Sequence, residues 1–300
     1  MALAATRVAA VVAFVLVIAI SADGWAIMRR HDVPDSEYVV PAEAYPAVVD
    51  LLEPGDCLAT LVAPRWLLTA AHCAADVPSE HAVNVGSERV GVEGVVCHPA
   101  YLGWDHDLAL VRLEEPVAGV TAVPLYRDRD EVGQTVRFVG RGDHGTGEEG
   151  QVRAQNDGLT REATNTVHGA DDLWLEFIFY SPDDPEVTER EGISGDGDSG
   201  GPALVATPTG LSVAGVSSWQ DADDPNVGFY GVHEYYTRVS SYTEFLDETT
   251  GPDWDGKFRP CPAEDDGGCS AAPSPLRHHA PMLAFLALVL LVRRRRPRRK

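Results

Sequence analysis

The chain has 300 residues, 44% hydrophobic and 23% charged, which suits one large domain or two small ones. Its 46 Asp and Glu outnumber 24 Lys and Arg for a net charge of −22, and residues 27–276 alone hold 45 acids against 15 bases, with Lys257 their only lysine. So acidic a surface repels polynucleotides and excludes a nucleic-acid partner, while it suits solubility, cations or basic substrates.

Taken in chain order, residues 1–26 carry Arg7, the apolar run VAAVVAFVLVIAI (Val8–Ile20) and the small-x-small site Gly24-Trp25-Ala26. This pattern predicts a secretory signal peptide, with an uncleaved membrane anchor as the alternative. From about residue 33 to 250, short apolar runs recur between Gly, Pro and Asp: CLATLV, RWLLTAA, VGVEGVV, LALVRL, TVRFVG, LWLEFIF, PALVA and LSVAGVSSW. Many short strands with turn signals predict a β-barrel or sandwich. Residues 240–249, SSYTEFLDET, are the one good helix near its end, and no internal repeat is evident. The composition shifts at Gly251 to Gly, Pro, Asp and Ser, which predicts an acidic linker over residues 251–276. Residues 277–300 then hold PMLAFLALVLLV and RRRRPRRK. A dozen apolar residues fall short of the roughly 20 that span a bilayer, but an Arg block beside them suits a signal held at the membrane. Membrane contact is therefore expected through this segment only. Five cysteines in an exported chain predict at least one disulfide. Cys57 and Cys73 flank one patterned stretch; Cys97, Cys261 and Cys269 remain, so one is odd, and a Cys97–Cys261 bridge is an allowed pairing.

Three segments carry chemistry: LTAAHC with His72, DHDLALVRL with Asp107, and GDGDSGGPAL with Ser199. Each alone has an ordinary structural reading as core histidine, strand head or loop turn. A serine hydroxyl is a weak nucleophile that needs an adjacent base, and a histidine oriented by a carboxylate supplies one. In the order His, Asp, Ser, and over roughly residues 27–250, the three resemble the trypsin/chymotrypsin-like serine proteases. The resemblance implies an all-β fold of two six-stranded antiparallel β-barrels with a C-terminal helix. It implies endopeptidase activity on proteins or peptides through an acyl-enzyme, without cofactor or metal. His72 is then the general base, Asp107 its orienting partner, Ser199 the nucleophile, and the Gly197 and Ser199 N–H groups the oxyanion donors. Asp105 and His106 do not match the family pattern. The resemblance also implies a Cys57–Cys73 disulfide pinning the histidine loop. SSWQ is similar to the strand that pairs with substrate, so Ser218 and Trp219 fit, with Gln220 replacing the usual glycine. YYTRVSSYTEFL resembles the last strand and terminal helix.

Other positions depart from the family. Ile193 stands six residues before Ser199, where a pocket-floor acid gives trypsin-like selectivity, and Gly195 replaces a pocket-bracing cysteine. Glu234 falls at a pocket-wall glycine, where it either attracts a basic side chain or points to the surface. Specificity is thus open between a large apolar and a basic residue. In the family, activation exposes an N-terminal Ile or Val that pairs with the aspartate before the nucleophile. Cleavage after Ala26 would leave Ile27 to pair with Asp198, with Arg29 and Arg30 where the family has glycines; the uncut chain is expected to lack this pair. The acidic clusters SPDDPE, DADDP and AEDDGG read as solvated loops rather than calcium sites. GCSAAP with its apolar run and Arg block resembles the myxobacterial C-terminal sorting signal, with Cys269 at the processing position. That implies an exported protein that is released or held at the cell surface or outer membrane. The competing function is a surface-displayed, non-catalytic binding protein on a protease scaffold.

Overall fold

The computed structural model describes residues 27–53, 55–152, 157–222 and 227–262; the predicted signal peptide, the Arg-rich tail and Cys269 lie outside the described residues. The chain enters through two short strands, β1 (Ile27–Arg29) and β2 (Val39–Val40). The apolar runs that follow form β3 (Val48–Asp50), β4 (Leu58–Ala63), β5 (Trp66–Thr69), β6 (Ala82–Val85), β7 (Glu88–Cys97) and β8 (Ala109–Leu113). They make one antiparallel sheet in the order β3-β4-β5-β8-β7-β6. Its end strands β3 and β6 come back against each other, so the sheet nearly closes into a six-stranded barrel. Leu58, Leu61, Leu67, Leu68 and Leu110 fill it and are inaccessible to solvent. Between β5 and β6 the chain makes the short helix α1 (Ala71–Ala75).

The second half supplies β9 (Thr135–Gly140), β10 (His144–Thr146), β11 (Gly150–Val152), β12 (Thr160–Thr166), β13 (Gly169–Ala170), β14 (Trp174–Ile178), β15 (Gly192–Ile193), β16 (Pro202–Thr207), β17 (Gly210–Gln220) and β18 (His233–Arg238). Eight strands join in the order β13-β14-β18-β17-β16-β9-β12-β2. Its six inner strands curl until β12 meets β14, which gives the second barrel. Phe138, Phe177 and Tyr236 pack in its core, with Phe138 edge-on to Phe177 at 4.9 Å and stacked on Tyr236 at 4.8 Å. The strand β12 lacks apolar alternation, because its inward polar groups are paired. Arg161 is fully buried between Asp35 and Asp157, and Asn165 donates to the carbonyls of Ile178 and Gly192. A small third sheet, β11-β10-β1-β15, places the first described residues beside the loop before Ser199.

After β18 the helix α2 (Thr243–Thr250) buries Leu246 against the core of the first barrel. The composition shift at Gly251 predicts a linker there, yet residues 251–262 pack on the first barrel. Trp254 meets Trp66 edge-on at 5.1 Å, and the Arg112 guanidinium lies 4.5 Å from the Trp254 ring centre. Apolar and aromatic side chains among the acids and glycines decide this, since Trp254 and Phe258 each find a surface to cover.

Candidate active site

The segment Ala70-Ala71-His72-Cys73-Ala74-Ala75 is small enough to turn into one helical coil directly after β5. Ala71, Cys73 and Ala74 face inward, which turns His72 toward the junction of the two barrels. A disulfide between Cys57 and Cys73, with Cα atoms 5.9 Å apart, staples this turn to the start of β4. Cys57, His72 and Cys73 bring metal-ligand atoms close together, but both sulfurs are consumed in the bridge.

Asp107 precedes β8 and is completely buried. Both its carboxylate oxygens accept hydrogen bonds: Oδ1 from the His72 backbone N–H at 2.9 Å, Oδ2 from His72 Nδ1–H at 2.8 Å. Ser218 Oγ donates to the same Oδ2 at 2.5 Å, and Thr237 Oγ1 donates to the Asp107 carbonyl at 2.8 Å. With Nδ1 bonded to Asp107, the other imidazole nitrogen lies 3.5 Å from Cys73 Sγ. Asp105 pairs its backbone with Leu102, and His106 stacks on His98 at 5.0 Å.

Ser199 and His72 line one cavity of about 250 Å³ together with Trp104, Ser194, Ser217 and Gln220. The Ser199 carbonyl accepts the Leu58 N–H at 2.7 Å, which ties the loop to the first barrel. Gly197 has φ +91°, and a Cβ there would collide with the Gly55 carbonyl oxygen, so only glycine fits. Neither the Gly197 nor the Ser199 N–H donates to a protein acceptor among the described residues. Gly195 is held as tightly, since a Cβ would strike the Asp143 carbonyl oxygen; a cysteine has no room on this backbone.

The positions expected to bind substrate separate. Ser218 and Trp219 lie just before the last residue of β17, Gln220, with Trp219 stacked on Tyr235 at 4.2 Å. Ile193 is fully buried away from the cavity, packed with Met28, Phe179 and Val232. Glu234 points inward rather than to the surface, and it is completely buried. Its carboxylate accepts the Ser194 N–H at 3.1 Å, the Ser194 hydroxyl, and Gln220 Nε2 at 3.4 Å. Burial pushes the Glu234 carboxyl up to about 7 against these donors, and nearby Asp198 adds in the same direction. Gln220 Nε2 also donates to the Ser194 carbonyl at 2.8 Å, while its Oε1 is buried without a partner among the described residues.

Asp198 accepts N–H groups from Arg141 at 2.6 Å, Gly142 at 2.7 Å and Gly195 at 3.0 Å, and also from Ile27. The expectation that the uncut chain lacks the Ile27–Asp198 contact is therefore corrected. The backbone N–H of Ile27 already occupies the place, because β1 is pinned between β10 and β15. Burial pushes the Asp198 carboxyl up to about 6 in spite of the four donors. Arg29 and Arg30 do not block this seat: Arg29 pairs with Asp35 at 3.4 Å and Arg30 with Asp32 at 2.7 Å. The sequence reading missed Trp104, Ser194 and Ser217. Trp104 stands edge-on to His72 at 5.6 Å, and its signal was an aromatic three residues before Asp107.

A histidine locked to a buried carboxylate and sharing a cavity with a serine is the arrangement of serine hydrolases, which activate a hydroxyl for acyl transfer. The chain belongs to the trypsin family, whose family model (Trypsin) matches residues 37–246, and it is a trypsin-like serine endopeptidase. It is similar to Trypsin 5G1 of Aedes aegypti, 28% identical over 253 residues that cover 76% of this chain and 88% of that protein. Transmembrane protease serine 11E of Mus musculus is 28% identical over 65% of this chain and 49% of its own length. Vitamin K-dependent protein C of Oryctolagus cuniculus is 30% identical over 63% and 45%. This chain thus spans about half the length of the last two relatives. No described helix is long and apolar enough to cross a membrane.

Proposed function

We propose that this endopeptidase is exported, acts through Ser199, His72 and Asp107, and prefers a basic residue before the scissile bond. The observation that carries the assignment is the hydrogen-bond chain Ser218–Asp107–His72 ending at the cavity that Ser199 lines. In this reading Ser199 Oγ attacks the carbonyl carbon as His72 Nε2 takes its proton. The oxyanion is received by the N–H groups of Gly197 and Ser199, which typically contribute a few kcal/mol. His72 then protonates the leaving amine, and water repeats the sequence to release the acyl group.

Preference for a basic residue is supported by Glu234 and Gln220. A buried carboxylate under Ser194 and a Gln220 oxygen with no partner among the described residues both invite a cation, whereas Ile193 offers the cavity no apolar floor. Gln220 lies over Glu234, so a long basic side chain would displace its amide to reach the carboxylate. Export is supported by the N-terminal apolar run and by the Cys57–Cys73 bridge, which suits an oxidising compartment. Retention at the cell surface through the tail and processing at Cys269 belong to the same proposal and rest on sequence alone. A fluorophosphonate probe tests the chemistry: the folded protein should label, and Ser199→Ala should not. No labelling of folded wild type would favour the non-catalytic binding protein. A peptide-library digest without Arg or Lys preference would refute the specificity.

A further inference from the structure

Cys97 and Cys261 are left over by the bridge at α1, and both are buried. They belong to one cluster with Ala71, Ala74, Tyr101 and Ala109, and their thiols are in hydrogen-bond contact. Backbone pairing brings them there. The Arg259 N–H donates to the Val95 carbonyl at 3.0 Å, and the Arg259 carbonyl accepts the Cys97 N–H at 2.8 Å. Arg259 Nη1 adds a bond to the Cys97 carbonyl at 3.1 Å. One step earlier, Phe258 covers Gly94, where any Cβ would press into its ring. The segment 251–262 thus runs as a strap alongside the end of β7, and Cys261 follows two residues behind the paired Arg259. Its sulfur is delivered by an ordered backbone.

We propose that Cys97 and Cys261 form a second disulfide in the mature protein, clipping the strap to the first barrel behind the helix that carries His72. The two thiols give up two protons and two electrons. A disulfide oxidant of the export compartment, small-molecule or protein-borne, accepts them. One thiolate attacks it to form a mixed disulfide, the second displaces the remaining thiol, and the oxidant leaves as two thiols. The site needs oxidation to hold firmly, since the strap otherwise rests on one paired residue and two aromatic rings. The clip also fixes where the tail begins. Residues 263–300 follow Cys261 almost immediately, so tension on them would be taken by the bond rather than by α2. The export reading enters only as the source of the oxidant.

Lys257 makes the clip testable on the full chain. It is the only lysine within residues 27–276, its side chain is 81% exposed, and it lies between α2 and Cys261. The protein is folded with oxidised glutathione, cut with a lysyl endopeptidase, alkylated and denatured without reductant. The fragment beginning at Phe258 is expected to stay attached and to leave on reduction, with mass spectrometry showing the Cys97 peptide joined to the Cys261 peptide. Cys261→Ser should release the fragment without reductant while Cys57–Cys73 remains bonded. Release from oxidised wild type with Cys97 and Cys261 both alkylated would overturn the proposal, and so would pairing of either with Cys269. Fluorophosphonate labelling of the same sample reads the catalytic proposal separately.

Discussion

Consider two forms of the domain, one beginning at Ile27 and one retaining Ala26 before it. In the longer form Asp198 is held by amide donors, and burial raises its carboxyl from an ordinary 3.8 to about 6. A carboxyl raised in the fold binds its proton more tightly there than in the unfolded chain. Stability of the longer form therefore falls as pH rises from about 4 through about 6, and the whole penalty is present above that window. Two units correspond to about 3 kcal/mol. In the shorter form an α-ammonium replaces the Ile27 N–H, and a cation against the carboxylate cancels the rise. A second contribution does not depend on pH. Ile27 sits at φ +71°, an uncommon conformation for a β-branched residue that costs about 1–3 kcal/mol. That torsion ceases to exist once residue 26 is removed. Urea unfolding of both forms should thus favour the Ile27 form by about 1–3 kcal/mol at pH 4 and about 4–6 kcal/mol at pH 8. The advantage should narrow above about pH 8 as the α-amine loses its proton. The longer form should also show the lower kcat/KM, because Asp198 holds the segment that presents Gly197 and Ser199. An advantage that is the same at pH 4 and pH 8 would refute the pairing.

Four single substitutions probe the same geometry. Ser199→Ala should lower kcat by about 10⁴-fold or more and leave the urea midpoint nearly unchanged. Ser218→Ala removes the 2.5 Å bond to Asp107 and should cost about 10- to 100-fold in kcat with little change in KM, the equivalent of one hydrogen bond to a charged group. Glu234→Gln should reduce kcat/KM for Arg and Lys substrates at least about tenfold relative to apolar ones, since the cation loses its counter-charge. Because burial raises Glu234 from 4.5 to about 7, wild type carries a penalty that grows over that window; the variant should be more stable by about 3 kcal/mol at pH 8 and equal at pH 4. Glu131→Gln leaves buried Arg238 without its carboxylate, a 2.5 Å pair, and should cost about 3–5 kcal/mol by urea unfolding.

The apolar runs predicted most of the strands, because β4, β5, β8, β9, β14, β16 and β17 each bury at least half of the apolar side chains in their run. The strand β12 was illegible for the opposite reason. Arg161, Glu162 and Asn165 are buried and are satisfied by partners far away in sequence, among them Asp35, Tyr45 and Ile178. The strap was misread on composition: glycines, prolines and acids outnumber Trp254 and Phe258, yet those two rings decide where it packs. At the site, motif spacing singles out His72, Asp107 and Ser199, of which His72 bonds to Asp107 and shares a cavity with Ser199, while side-chain direction was beyond its reach. Ile193 and Glu234 occupy the expected register positions, but Ile193 turns into a cluster with Met28 and Glu234 is buried against Ser194, whose N–H it accepts. Which face a two-residue strand presents is set by its neighbours, here β1 inserted beside β15.

The nine residues that end at Ser199 share an electrostatic peculiarity. Glu191 accepts from Thr188 N–H at 2.8 Å, Thr188 Oγ1 at 2.6 Å and Tyr180 N–H at 3.2 Å. Ser194 is the donor to Glu234, and Asp198 takes its amide set. All three carboxyls are buried, all are pushed up to between about 6 and about 7, and none forms an ion pair among the described residues. Elsewhere the buried acids Glu131 and Glu162 have arginine partners. The segment presenting Ser199 is thus the part of the fold in which rising pH builds up uncompensated negative charge. Two events would relieve it from opposite sides. An Ile27 ammonium would neutralise Asp198, and a basic substrate side chain would neutralise Glu234. Since Asp198 itself helps raise Glu234, neutralising one carboxylate should ease ionisation of the other. Starting the chain at Ile27 should therefore increase affinity for a cationic inhibitor such as benzamidine at pH 6–7, where both carboxyls are titrating. Glu234→Gln should abolish that increase, and an equal increase in the variant would show that the two sites act separately.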